Sequence, residues 1–195
     1  ITLVKIKLRH ICVFSIQKFM KSKENLIFLG MMGSGKTTIG SIISKKLKIN
    51  FIDIDQEIEK ELGITIPKIF EIKGEKYFRE IEEKITVKIL KQANKVISLG
   101  GGAFLNENIQ NEILEKHVSF WLNCDPATLV KRISYNTKRP VAFRSSKNEL
   151  FNLIKKRSRI YSKALYKIDC KDLSKNEIVK IILKKYETYK TNSQN

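Results

Sequence analysis

Between residues 25 and 190 the chain alternates two hydrophobic patterns. Short, nearly continuous apolar runs occur at Asn25 to Leu29, Phe51 to Asp55, Lys95 to Leu99, His117 to Leu122 and Tyr166 to Cys170. Runs of that length read as strands buried on both faces. Between them the apolar residues recur at helical spacing: Thr38 to Leu47, Pro67 to Ala93 with a break near Gly74, Asn106 to Lys116, Asn148 to Ala164, and Ser174 to about Tyr189. Pro126 is placed to open one more helix as its first residue. Tyr135 to Lys147 is polar and irregular. Strict alternation of this kind predicts an α/β fold: a five-stranded parallel sheet with helices on both faces and ligands at the carboxyl ends of the strands.

Length adds little to this picture and charge adds more. The 195 residues fit one ordinary domain with enough apolar side chains for a core. Residues 1–24 are basic and apolar without a small-residue cleavage site. They read as an extension, with Met20 the expected start, residues 25–190 the domain and 191–195 a tail. No stretch is long and apolar enough to span a membrane. The cysteines, Cys12, Cys124 and Cys170, are scattered with no metal spacing or disulfide framework, which points to the cytoplasm. The formal charge of +18 raises the possibility of a nucleic-acid partner. The lysines, however, are spread singly and in pairs, and aromatic residues do not interleave with them as on a stacking platform. The expectation is no dedicated nucleic-acid binding, although the field attracts anionic substrates. Arginine is scarce, with only seven residues, and in such a chain it marks places that need a planar fork of donors.

The chemistry is concentrated in two glycine-rich loops. Phe28 to Gly40, FLGMMGSGKTTIG, spells G-x-x-x-x-G-K-T from Gly30, between a predicted strand and a predicted helix. Its glycines let successive N–H groups face one anion. Lys36 reaches the β- and γ-phosphates of a nucleoside triphosphate, and the Thr37 hydroxyl can ligate Mg²⁺. Gly33, Ser34, Gly35, Lys36, Thr37 and Thr38 are thus the candidate ATP-binding loop. The second loop is SLGGGAF, where Gly100, Gly101 and Gly102 follow a strand and permit close approach to a ligand.

Other positions leave two readings open. Asp53 and Asp55, two apart at a strand end, point to opposite faces if the strand persists, one toward a metal and the other toward a second substrate; alternatively both are solvated. Arg79, in GEKYFREIEEK, is either a ligand fork or the surface partner of Glu75 or Glu83. Arg132, Arg139 and Arg144 lie in or beside the irregular segment, a candidate lid. Arg157 and Arg159 share the next helix.

Taken in order, GSGKTT, DIDQEIEK, GEKYFREIEE, SLGGG, KRP and the R-x-x-I-Y stretch closely resemble the shikimate kinase family, from about Leu26 to the final helix. The resemblance implies a three-layer P-loop kinase fold with a mobile lid, acting as a cytoplasmic monomer on ATP and shikimate in chorismate and aromatic amino acid biosynthesis. It implies phosphorylation of the 3-hydroxyl of shikimate. Asp55 would hold or deprotonate the attacking hydroxyl; Arg79, Arg157 and the Gly100–Gly102 backbone would bind shikimate; Lys36 and Arg139 would stabilise the moving charge. Thr37 and Asp53 would serve Mg²⁺, and Arg132 would lie against adenine. Two departures stand out: Arg159 replaces the proline usual in the R-x-P-x-Y motif, so it competes with Arg157 for the carboxylate, and the lid reads RPVAF. A kinase for another polyol such as gluconate, or a regulatory nucleotide-binding protein, is the competing expectation.

Overall fold

The four residues Leu26–Leu29 are all apolar, and a strand with no polar face must be covered on both sides. In the computed structural model, which describes residues 24–134 and 146–193, this strand (β1) is the centre of a five-stranded parallel sheet. The other strands are β2 (Asn50–Asp53), β3 (Lys95–Ser98), β4 (Val118–Asn123) and β5 (Tyr166–Asp169), in the order β2-β3-β1-β4-β5. Ile27 lies opposite Ile97 on one side, and Leu29 opposite Trp121 on the other.

Because side chains alternate along a strand, β1 feeds two cores. Ile27 and Leu29 join Ile97 and Trp121 on one face, whereas Leu26 and Phe28 join Val96 and Phe120 on the other. Helices α1 (Lys36–Leu47) and α7 (Lys175–Asn192) cover the second face through Ile39, Ile43, Ile178 and Ile182. The first face is covered by α2 (Ile54–Leu62), α3 (Ile66–Leu90), α4 (Glu107–Lys116), α5 (Pro126–Ser134) and α6 (Lys147–Tyr161). The result is the three-layer α/β architecture that the alternation predicts. Each fully buried side chain such as Phe28 contributes about 1.5–3 kcal/mol.

Local signals agree with these boundaries. Gly74 breaks α3 with φ 78° and ψ 175°. Both α6 and α7 open with reciprocal capping boxes, Ser146 with Glu149 and Ser174 with Glu177. The fully buried Asn25 ties three segments together. Its Nδ2 donates to the carbonyls of Leu90 (3.0 Å) and Gln92 (2.7 Å), while its Oδ1 accepts from the Lys95 N–H (2.9 Å).

One boundary differs in a way that matters. β2 ends at Asp53, not Asp55, because the Asp53 carboxylate caps α2 by accepting the Asp55 N–H at 3.1 Å. Asp55 therefore sits on the first helical turn, and the opposite-face argument for the two acids does not apply. The expected extension before residue 24, the expected lid with Arg139 and Arg144, and the last two residues lie outside the described residues. The chain leaves β1 toward β2 and β3 toward β4. These neighbouring strands thus send their loops apart, opening a crevice at the carboxyl edge.

Candidate functional site

The loop after β1 fills one side of that crevice. It turns through Gly33 (φ 78°) and Gly35 (φ 92°), conformations that side chains with a Cβ rarely adopt. Gly35 precedes α1 with no side-chain cap, so the first N–H groups of the helix are left for an anion. The Lys36 side chain is buried and folds back over the loop; its Nζ donates to the carbonyls of Gly30 (2.9 Å) and Met31 (3.0 Å). The Thr37 hydroxyl donates to Asp53 Oδ2 at 2.7 Å, which makes a compact pair of oxygen donors at the loop. Arg132, from α5, donates to the Gly33 carbonyl at 3.0 Å. The cleft beside them measures about 890 Å³, and residues 33–38, Asp53, Asp55 and Arg132 all line it.

The second glycine loop follows β3, next door. None of Gly100, Gly101 and Gly102 has positive φ, so space, not torsion, requires glycine there. A methyl group on Gly100 would sit 2.5 Å from Glu82 Oε1 and 2.9 Å from Asp55 Oδ1. On Gly102 it would collide with the Arg79 guanidinium, and on Gly101 it would lie 3.6 Å from Arg157 Nη1. The three missing side chains thus let two acids and two arginines crowd around one stretch of backbone. This group lies beyond the lining of the large cleft and adjoins it through Asp55.

Both arginines are held in place. Arg79 Nη1 donates to the buried Glu82 at 2.6 Å, and its Nε and Nη2 donate to Glu75 at 3.2 and 3.0 Å. The expected alternative partner, Glu83, instead accepts from Asn106 and Asn108. Position i+3 wins because Glu82 faces the core and Glu83 does not. Arg157 is buried (6 % exposed) and its Nη1 donates to the Gly101 carbonyl at 3.2 Å. Its Nε has no hydrogen-bond partner, and among the described residues no carboxylate lies within ion-pair distance of it. Arg159 is exposed on the other side of α6.

Several site residues escape the motif reading. Tyr161, one helical turn after Arg157, also donates to the Gly101 carbonyl, and burial pushes its hydroxyl up to about 12. The buried stripe Leu150, Ile154, Arg157, Tyr161 follows helical spacing, so periodicity alone separates Arg157 from Arg159. Glu82 is signalled only by its i+3 relation to Arg79. The cysteines are not all scattered: Cys124 and Cys170 are brought together at the ends of β4 and β5, on the wall of the cleft. Among the described residues no cluster of three or more His, Cys, Asp or Glu can hold a metal ion, and no helix is long and apolar enough to cross a membrane.

Comparison with known proteins agrees with this fold. The sequence profile described as "Shikimate kinase" matches residues 32–187. The chain is 34 % identical over 185 residues to a shikimate kinase of Bartonella quintana (strain Toulouse), covering 93 % of this chain and 88 % of that one. It is 39 % identical over 163 residues to a shikimate kinase of Bacillus subtilis (strain 168), covering 83 % and 88 %. The solved structure of a shikimate kinase from Acinetobacter baumannii in complex with shikimate superposes with a TM-score of 0.84 at 28 % identity, covering 90 % of this chain and 98 % of that one.

Proposed function

This chain belongs to the shikimate kinase family, and from that premise we propose how its residues carry out the reaction. The activity is ATP-dependent phosphorylation of the 3-hydroxyl of shikimate, giving shikimate 3-phosphate and ADP. Phosphoryl transfer of this kind needs positioning and charge stabilisation more than covalent chemistry. We assign the triphosphate to the loop Gly33 to Thr38, where open N–H groups and the α1 N-terminus supply the anion site. Lys36 exchanges its two carbonyl partners for phosphate oxygens and balances the charge that spreads over the transferring group. Arg139 is assigned the same task, and Arg132 the adenine.

For shikimate, Arg157 and Arg79 grip the carboxylate from either side of the Gly100–Gly102 backbone. Asp55 holds the ring hydroxyls and orients or deprotonates the one that attacks. The observation that carries this assignment is the buried Arg157 guanidinium without a carboxylate partner among the described residues, one loop away from the phosphate cradle. A buried cation in that state is stabilised by an anionic ligand with planar geometry. Mg²⁺ suits Thr37 and Asp53, an oxygen-only pair; one or two protein oxygens plus phosphates is its usual coordination. When bound it would offset the negative charge of the phosphates. We also read the enzyme as a cytoplasmic monomer with its domain at residues 25–190. The test is ATP turnover in a coupled assay, with shikimate, gluconate or no acceptor. Turnover that depends on shikimate and ignores gluconate is expected; turnover indifferent to shikimate would overturn the reading.

A further inference from the structure

β4 and β5 end on a paired register, Asn123 opposite Asp169, and the next residue on each strand is a cysteine. The Cys170 N–H donates to the Asn123 carbonyl at 2.8 Å, so the ladder runs one residue further and sets Cys124 beside Cys170. Neighbouring strands lie about 4.8 Å apart, inside the roughly 4.4–6.8 Å span between Cα atoms that a disulfide bridges. The two thiols are free and not bridged, and Cys170 Sγ donates to the Ile168 carbonyl at 3.3 Å. Cys124 Sγ also reaches the Ser34 carbonyl of the phosphate loop at 3.5 Å, and both cysteines line the nucleotide cleft.

The surroundings favour one reactive sulfur. The neighbouring Cys170 thiol lowers the Cys124 thiol to about 7 against the opposing effect of burial, with help from the cations Arg132 and Lys36. Cys170 moves the other way, raised first by the neighbouring Cys124 sulfur, then by burial and the Asp169 charge. Cys124 is therefore the sulfur that gives up its proton first, and Cys170 keeps its own. A thiolate beside a second thiol is the arrangement of an oxidisable pair.

We propose that Cys124 and Cys170 form a dithiol modification site on the wall of the nucleotide cleft, closed to an intramolecular disulfide by peroxides and shielded by bound nucleotide. The Cys124 thiolate attacks one oxygen of hydrogen peroxide, breaking the O–O bond, forming a sulfenic acid and releasing hydroxide. The Cys170 sulfur then attacks the Cys124 sulfur, forming the S–S bond. The hydroxyl leaves with the Cys170 proton as water. Counted from the dithiol, with the proton that Cys124 gives up on ionising taken by the released hydroxide, the pair loses two electrons and two protons and the peroxide is reduced to two waters. Closure also removes the Cys124 S–H from the Ser34 carbonyl, which couples the state of the pair to the phosphate loop.

The shielding part rests on assigning this cleft to ATP, and the experiment separates the two ideas. The full chain is treated with hydrogen peroxide, residual thiols are alkylated, and the bridged peptides are mapped by mass spectrometry, with ADP binding measured calorimetrically in parallel. A Cys124–Cys170 bridge that a thiol reductant reopens is expected in the wild type and in Cys12→Ser. In Cys170→Ser, the Cys124 sulfenic acid should persist and be trapped by dimedone. ADP at about 100 times its Kd leaves about 1 % of the sites open, so bridging should slow by up to about a hundredfold. A bridge to Cys12, or no bridge at all, would overturn the proposal. So would a bridging rate untouched by ADP that is demonstrably bound. If ADP does not bind, the nucleotide assignment fails, while bridge formation without ADP still decides the dithiol site.

Discussion

Replacing Arg157 with methionine separates a substrate grip from a structural anchor, because the two roles move stability and affinity in different directions. Methionine keeps a long, flexible chain and removes the charge. The change deletes an ordinary hydrogen bond to the Gly101 carbonyl at 3.2 Å, worth about 1 kcal/mol, and a weak one to the Met31 sulfur at 3.9 Å. It also deletes a buried Nε without a partner, whose burial costs about 1–3 kcal/mol. The variant should therefore be as stable as wild type or more stable by about 1 kcal/mol, a rise in Tm of about 2–4 °C at this size. Shikimate loses a forked, charge-assisted contact of about 3 kcal/mol, so its Kd should rise about 150-fold. ATP affinity should hardly change. Denaturant titrations and separate calorimetric titrations with the two ligands measure all three quantities. A loss of more than about 2 kcal/mol in stability with shikimate affinity intact would make Arg157 a structural anchor and refute the reasoning. Arg159→Ala is the matched control: the side chain is exposed, so stability should stay within about 0.5 kcal/mol and both affinities unchanged.

Lys36→Met should abolish nearly all turnover in folded protein, since the transferring phosphoryl group loses its nearest cation; retention of most of the rate would remove Lys36 from the chemistry. Arg79→Lys keeps the charge and loses the fork, so shikimate affinity should weaken about thirtyfold, roughly 2 kcal/mol, with ATP affinity unaffected. Equal losses for both ligands would place Arg79 elsewhere. His117 is held neutral: burial lowers its pKa, its Nδ1 accepts the Asn25 N–H at 3.2 Å, and its Nε2 is buried without a partner. With the folded pKa depressed, the unfolded chain binds the proton first as pH falls, so this stability is complete above about pH 6.5 and is lost below it. Urea midpoints at pH 7.5 and 5.5 should converge in His117→Gln relative to wild type; identical pH dependence in both would refute the assignment.

Much of the architecture is legible in the chain because it depends on local pattern. Buried parallel strands must be nearly all apolar, so β1 and β4 announce themselves, and amphipathic helices follow with their own period. The phosphate loop is equally legible, since its torsions demand glycine at fixed offsets and its lysine adjoins them in sequence. The helical stripe through Leu150, Ile154 and Tyr161 even carried the answer to which arginine of α6 turns inward. What the sequence could not decide was every relation made across the sheet. That β2 ends at Asp53 depends on a carboxylate choosing to cap a helix instead of extending a strand, a balance of about 1 kcal/mol that the pattern does not reveal. That Gly100, Gly101 and Gly102 are needed for room, and not for torsion, became visible only when Glu82, Asp55, Arg79 and Arg157 arrived from three separate helices. The meeting of Cys124 and Cys170, 46 positions apart, follows from the register of β4 against β5. Hydrophobic periodicity and backbone torsion act between near neighbours and are written in the sequence; side-chain crowding and strand register act between distant segments, and only the packed structure fixes them.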